Sequence, residues 1–232
     1  MGSALKTWLG VATGALMLAA LFMVFVYVPT EAEEGIVQRI FYFHVPIAWV
    51  TFVAFGLVAI SGVFYLWMRQ EVWDELGYAA AETGMVFCTL MLITGSIWAK
   101  PIWGTWWTWD SRLTTCLILW LLYGGYLVLR ALAGDTPETA RIAAVVGIVG
   151  ALDVPIIIVS VRLWRTIHPA VLVTRQGSHG LEDPRMIATL LVAIAAFTAL
   201  FMWLLWLRFA TLRAGTRIAR LKLRLALAAA DD

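Results

Sequence analysis

Six runs of about 20 mostly apolar residues constrain this chain more than any other feature of its sequence. An α-helix of that length crosses the hydrocarbon core of a bilayer. Because every backbone N–H and C=O in lipid must be paired internally, such runs predict helices, whereas barrel strands would alternate and be about half as long. We expect an all-α, polytopic membrane protein, a six-helix bundle forming a single membrane domain over residues 1–232. The predicted spans are residues 9–28, 47–68, 83–99, 113–132, 142–161 and 186–207.

The composition excludes several classes of protein. Hydrophobic residues make up 62% of the 232 residues and charged residues 14%, which excludes a water-soluble globule. The net charge of +2 is spread along the chain, so nucleic acid is not an expected partner. Cys88 and Cys116 both lie in apolar runs and the sequence has no CxxCH motif, so neither a disulfide framework nor a thioether-linked heme is expected.

The distribution of Lys and Arg predicts the orientation. More of them fall on the side that holds both termini, chiefly in the tail 208–232, which places both termini in the cytoplasm. The predicted external segments are then 29–46, 100–112 and 162–185. The tail repeats Arg213, Arg217, Arg220 and Arg224 at helical spacing, which suits either a basic helix on the anionic inner leaflet of membrane lipid or a simple topology anchor.

The second external segment continues into the string WGTWWTWDSRLT, residues 103–114, with four Trp within seven residues. An interfacial aromatic belt is the alternative, but a belt has one or two aromatics per helix end. Gly104 allows a tight backbone, and Asp110 and Arg112 add a polar rim to an apolar surface. Such a surface suits a large planar ligand, because indoles offer stacking area at low entropic cost.

The three histidines all fall in predicted external segments. His44 and His168 each stand close before a proline at the outer end of a different helix. Neutral imidazole is a standard heme-iron ligand, and two helix ends can hold two rings on opposite faces of a porphyrin. A single loop histidine is more often solvated, and His179, in a Gly-rich polar stretch, is interpreted in that way.

The Trp-rich string resembles the WWD signature of the heme-handling proteins of cytochrome c biogenesis. Within that superfamily, a six-span chain with one histidine before the second span and one between the fifth and sixth is similar to the heme exporter protein C family. That family is the C component of the bacterial cytochrome c maturation system. The F component and the chloroplast-type synthase share the signature but are much longer.

The resemblance implies that His44 and His168 are external axial ligands of heme iron. Heme b would be a transient, non-covalent cargo, passed to the periplasmic heme chaperone, the E component. The other implied partners are the small single-span D component and the A and B subunits of an ABC transporter, and the implied location is the bacterial inner membrane with the heme site facing the periplasm. The residues of the signature that would hold heme are Trp103, Gly104, Trp106, Trp107, Trp109, Asp110 and Arg112.

Several roles stay open at this stage. The heme propionates could be met by Arg112, Arg165, Arg39 or Lys100, although each could equally contact lipid headgroups or set topology. Arg112 could instead pair with Asp110.

Two acidic residues have alternative interpretations. Asp153, inside the fifth span, is either a proton or heme-path residue, or a structural residue that is protonated or accepts hydrogen bonds from groups freed by the Pro155 kink. Glu82 is expected at the inner end of the third span, where a carboxylate complements the helix N-terminus.

The function also has alternatives. The leading interpretation is a heme-binding and delivery protein without turnover. The alternatives are a cytochrome c heme lyase, a heme transporter subunit, a membrane electron carrier of the cytochrome b kind, and a solute transporter with an incidental aromatic rim. Against the electron carrier, no predicted span contains a histidine.

Overall fold

The computed structural model describes residues 3–164, 181 and 183–231, and the described chain is helical with no β-strand. Six of its helical segments are long and apolar enough to cross a membrane, which confirms the predicted all-α polytopic architecture. The helices are α1 (Ser3–Phe22), α2 (Phe41–Met68), α3 (Glu71–Trp103), α4 (Ser111–Ala133), α5 (Pro137–Ala151), α6 (Asp153–Leu163) and α7 (Pro184–Asp231).

Two short helical turns lie between α1 and α2. A π-helical turn, Met23–Tyr27, extends α1, and a 3-10 turn, Ile36–Ile40, leads into α2. The predicted external segment 29–46 therefore contains the start of a helix. His44 lies within the first turns of α2 rather than in a loop before it.

The predicted fifth span, 142–161, is divided into two helices. α5 ends at Ala151, and α6 begins at Asp153. The break has a local cause: Pro155 has no N–H to donate to the carbonyl of Ala151, and a proline is best accommodated in the first turn of a helix, where it lies in α6. The N–H of Leu152 bonds the carbonyl of Val149 at 3.1 Å, which closes α5 with a tighter turn.

α3 and α7 extend well beyond the predicted spans 83–99 and 186–207. α3 begins at Glu71, so Glu82 lies several turns inside the helix and does not complement its N-terminus. The tail is not a separate surface helix, since α7 runs without a break to Asp231.

Ion pairs between α3 and α7 explain both extensions. Arg208 Nε donates to Glu82 Oε2 at 2.5 Å and Arg213 Nη1 donates to Glu75 Oε2 at 3.2 Å. Arg220 pairs with Glu71 further along. Opposite charges that meet across two helices lower the cost of burying either one.

The helices approach one another closely at small residues. A Cβ added to Gly84 of α3 would lie 2.8 Å from the Cβ of Ala54 on α2, so no larger side chain fits there. Tyr123 of α4 stacks on Phe55 of α2 with ring centroids 3.6 Å apart. Its hydroxyl donates to the carbonyl of Gly147 on α5 at 2.8 Å, which satisfies a polar group inside the bundle.

The two ends of the bundle differ in chemistry. At one end, Arg130 of α4, with 4% of its side chain exposed, donates to both carboxylate oxygens of Asp74 at 3.0 Å. Its guanidinium also lies over the Tyr78 ring, 4.9 Å from the centroid. At the other end, α3 runs into the Trp-rich segment, and α2 begins near His44.

Candidate functional site

The Trp-rich connection between α3 and α4 is fixed by capping at both of its ends. α3 ends because Gly104 adopts a left-handed φ of +74°, and its N–H bonds the Lys100 carbonyl at 3.0 Å. α4 begins at an Asp110 cap, whose Oδ1 accepts the Leu113 N–H at 3.0 Å, while Thr108 donates to Oδ2 at 3.3 Å. Asp110 therefore shapes the loop as a helix cap, not as an ion-pair partner of Arg112.

The tryptophans of this connection present an apolar surface to the outside of the protein. Trp106 and Trp109 are 58% and 76% exposed. Trp107 is half-buried, meets Trp109 edge to face at 5.8 Å, and its Nε1 finds no hydrogen-bond acceptor among the described residues. Trp103, the last residue of α3, is also half-buried. The two exposed indoles are the part of the signature that a planar ligand can reach.

His44 is held at the same end of the bundle by a threonine of α3. Its Nδ1 lies 3.0 Å from Thr94 Oγ1, and the Thr94 hydroxyl donates its proton to the Leu90 carbonyl at 2.7 Å. The hydroxyl oxygen can therefore accept an Nδ1–H from the His44 tautomer that carries its proton on Nδ1. A histidine whose second nitrogen is fixed in this way is the usual arrangement of a metal-binding imidazole.

The surroundings of the His44 ring on α3 are close-packed. A Cβ added to Gly95 would lie 3.0 Å from His44 Cε1, so a larger residue there would push the ring by a few tenths of an ångström. Trp98, one turn further along α3, meets the imidazole edge to face at 5.8 Å. α3 therefore sets the position of His44 on two sides.

His44 and Arg112 line one small cavity between α2, α3 and α4, together with Cys116 and Gly95. Its volume of about 40 Å³ has room for water but not for a porphyrin. Among the described residues, the space beside His44 is therefore too small to enclose a planar macrocycle.

The predicted propionate cations differ in what they already bind. Arg39 Nη1 donates to the Phe25 carbonyl at 2.9 Å and Lys100 Nζ donates to the Gly104 carbonyl at 2.9 Å. Within the described residues, the Arg112 guanidinium makes neither a hydrogen bond nor an ion pair. Of the three, Arg112 has the most hydrogen-bonding capacity available for an anion.

The sequence analysis missed Thr94, Gly95, Trp98 and Glu34. Trp98 Nε1 donates to Glu34 Oε2 at 3.1 Å, which links the loop before α2 to α3, the helix that packs against the His44 ring. Burial raises the pKa of the Glu34 carboxyl, and the Trp98 hydrogen bond opposes that rise. The available signal was weak: one Trp at the outer end of a span and one acidic residue in the run EAEE.

Some predicted residues are not brought together by the structure. His168, His179 and Arg165 lie outside the described residues, so the pairing of His44 with His168 stays a prediction. Asp153 is the first residue of α6, and its buried Oδ2 has no hydrogen-bond partner in the described part of the chain.

The chain matches a known protein family over nearly its whole length. The family profile described as heme exporter protein C matches residues 1–224. The chain belongs to the heme exporter protein C family. This confirms the resemblance drawn from the Trp-rich string. It supports a role in heme handling for cytochrome c maturation, carried out by a multi-pass membrane protein.

Members of the heme exporter protein C family from several bacteria are similar over most of the chain. The protein of that name from Bradyrhizobium diazoefficiens is 40% identical over 197 residues, covering 85% of this chain and 74% of the relative. The Escherichia coli K12 protein is 33% identical over 208 residues, 88% of this chain and 82% of the relative. The Rhodobacter capsulatus protein is 33% identical over 222 residues, 95% and 91% of the two chains.

Proposed function

We propose that this chain binds heme b at the external surface of the bacterial inner membrane and delivers it to the periplasmic heme chaperone, the E component. The observation that carries the proposal is the His44 imidazole, whose Nδ1 is held by Thr94 at the same end of the bundle as the exposed Trp106 and Trp109. A histidine ring oriented through one of its nitrogens and an exposed aromatic surface both suit non-covalent heme binding.

The binding step uses three kinds of contact. His44 and His168 would supply the imidazole ligands of the heme iron, and the exposed indoles would cover the apolar part of the macrocycle. Arg112, whose guanidinium makes no ion pair within the described residues, meets a propionate by charge-assisted hydrogen bonds. Trp103, Gly104, Trp107 and Asp110 maintain the loop that carries these contacts.

The delivery step requires that binding be reversible. Two imidazole ligands and aromatic stacking together would release heme too slowly for a carrier, so docking of the chaperone weakens one ligand or supplies a competing one. The chain itself performs no bond-forming turnover in this scheme. The remaining partners are the D component and the A and B transporter subunits, and both termini of the chain face the cytoplasm.

The first test is the absorption spectrum of the protein purified in mild detergent from heme-replete cells. We expect a Soret band that is lost or altered in both His44→Ala and His168→Ala. His179→Ala is the matched control and should keep the wild-type spectrum. An unchanged spectrum in the first two variants would exclude the ligand assignment.

The second test separates delivery from a lyase activity. Heme-loaded protein is mixed with the chaperone and with an apocytochrome that carries a CxxCH motif, and the heme is followed to its product. Heme on the chaperone supports delivery, whereas thioether-linked heme formed directly on the apocytochrome would establish a lyase. Heme retained undiminished by the chaperone, in a preparation where transfer is seen, would contradict weakening of a ligand on docking.

A further inference from the structure

A second cavity lies at the opposite end of the bundle from His44, between the start of α3 and the tail part of α7. Its volume is about 450 Å³, and it is open on one side. Thr216 donates to Glu75 Oε1 at 2.8 Å and helps to hold the two helices together beside it. The charged residues that line the cavity are Arg69, Arg213, Arg217, Arg220, Glu71 and Glu75.

The charges in this cavity do not balance. Arg213 pairs with Glu75 and Arg220 pairs with Glu71, so both carboxylates are already neutralised. Arg69 has no carboxylate within 4.0 Å in the described part of the chain, nor has Arg217. Two guanidinium groups therefore face the same open volume without an anion.

Arg69 is also held in an unfavourable backbone conformation. It follows the last residue of α2 with φ 57° and ψ 26°, and its N–H bonds the Tyr65 carbonyl at 2.8 Å. It is the one non-glycine residue with a positive φ among the described residues. Glycine, or sometimes asparagine, normally occupies this position after a helix. A side chain kept at a strained position is often one that a binding site needs.

The cavity lies near the level of the lipid headgroups, which favours a ligand that carries phosphate. Trp67, two residues before Arg69, is 76% exposed at the end of an apolar helix, as expected for an indole at headgroup level. Arginine binds phosphate oxygens bidentately, and basic pockets between membrane helices bind anionic headgroups.

We infer that this cavity binds a phosphate group, with Arg69 and Arg217 as its main ligands. The group belongs either to an anionic phospholipid headgroup or to a soluble phosphate. The inference does not depend on the proposed heme function, since it concerns the other end of the bundle.

The test measures the thermal unfolding midpoint of the full chain in maltoside micelles. Phosphatidylglycerol and inorganic phosphate are titrated separately, with phosphatidylcholine as the zwitterionic control. The variants are Arg69→Gly and Arg217→Gln. Arg141→Gln is the matched control, because Arg141 lies at the same end of the bundle and pairs with Glu138 at 2.7 Å.

We expect phosphatidylglycerol or inorganic phosphate to raise the wild-type midpoint. Loss of one guanidinium should increase the half-saturating concentration about tenfold in each variant, and Arg141→Gln should behave as wild type. Without ligand, Arg69→Gly should unfold no lower than wild type, since glycine suits the positive φ. A normal midpoint without ligand would show that Arg69→Gly still folds, so its weaker response to the anion would report lost binding.

Both sources of the phosphate group have distinct outcomes. A response to phosphatidylglycerol alone identifies a lipid headgroup, and a response to inorganic phosphate as well identifies a soluble phosphate group. An equal response to phosphatidylcholine would overturn the inference, as would a response of wild-type size in both variants or no response to either anion.

Discussion

Gly95→Ala should weaken heme binding by displacing His44 without unfolding the protein. The added Cβ would lie 3.0 Å from His44 Cε1 and 3.6 Å from Nδ1. Because carbon atoms pack best at about 3.5–4.0 Å, the ring must shift by a few tenths of an ångström. That movement lengthens or misaligns the 3.0 Å contact between Nδ1 and Thr94. Disturbing the group that orients a metal-binding histidine lowers metal affinity by about 10–100-fold.

The assay is a heme titration in detergent micelles, followed by the Soret band and by the rate of heme loss to an acceptor protein. Gly125→Ala is the matched control, since nothing lies within 4 Å of a Cβ at that position. Thr94→Val should weaken binding in the same direction, because it removes the acceptor for Nδ1–H at nearly constant volume. Wild-type heme affinity and an unchanged Soret band in folded Gly95→Ala would refute the conclusion that α3 positions His44 for heme binding.

Three further predictions concern the stability of the bundle, measured as the free energy of unfolding in mixed micelles. Asp74→Ala should cost about 2 kcal/mol, since it removes the bidentate partner of the buried Arg130 and leaves only Asp135, at 3.3 Å; a loss below 1 kcal/mol would argue against a structural role for the pair. Gly147→Ala places a Cβ 2.7 Å from Val58 Cγ1 and should cost about 1–3 kcal/mol, with Val58→Ala restoring part of the loss. Tyr123→Phe should cost about 1 kcal/mol, because it leaves the Gly147 carbonyl without its 2.8 Å donor, and no loss would indicate that another donor replaces it.

The architecture was predictable because the bilayer imposes it on the sequence. Six apolar runs became six membrane-crossing helical segments, since unpaired backbone groups are not tolerated in lipid. The helix ends were less predictable. Glu75 and Glu82 interrupt the apolar pattern of α3, and their pairing with Arg213 and Arg208, far along the chain, compensates the two carboxylates where α3 packs on α7.

The candidate site was predictable where its chemistry is local in sequence. The string around Trp106 and Trp109 predicted an exposed aromatic loop, and His44 was expected at the outer end of a helix. Thr94 was missed because it is fifty residues from His44 and looks like an ordinary span residue. Hydroxyl contacts between helices depend on register, which a single sequence does not specify.

The small size of the cavity beside His44 bears on how a heme carrier can work. At about 40 Å³ the cavity cannot enclose a porphyrin, so heme bound to His44 as proposed would lie partly outside the helices that the structure describes. Exposed heme is less strongly shielded from water than heme in a pocket, but a second protein can contact it while it is still bound. Transfer can then proceed by exchange of one iron ligand at the surface, without opening of the packed core around Tyr123 and Phe55. An arrangement of this kind favours delivery over storage.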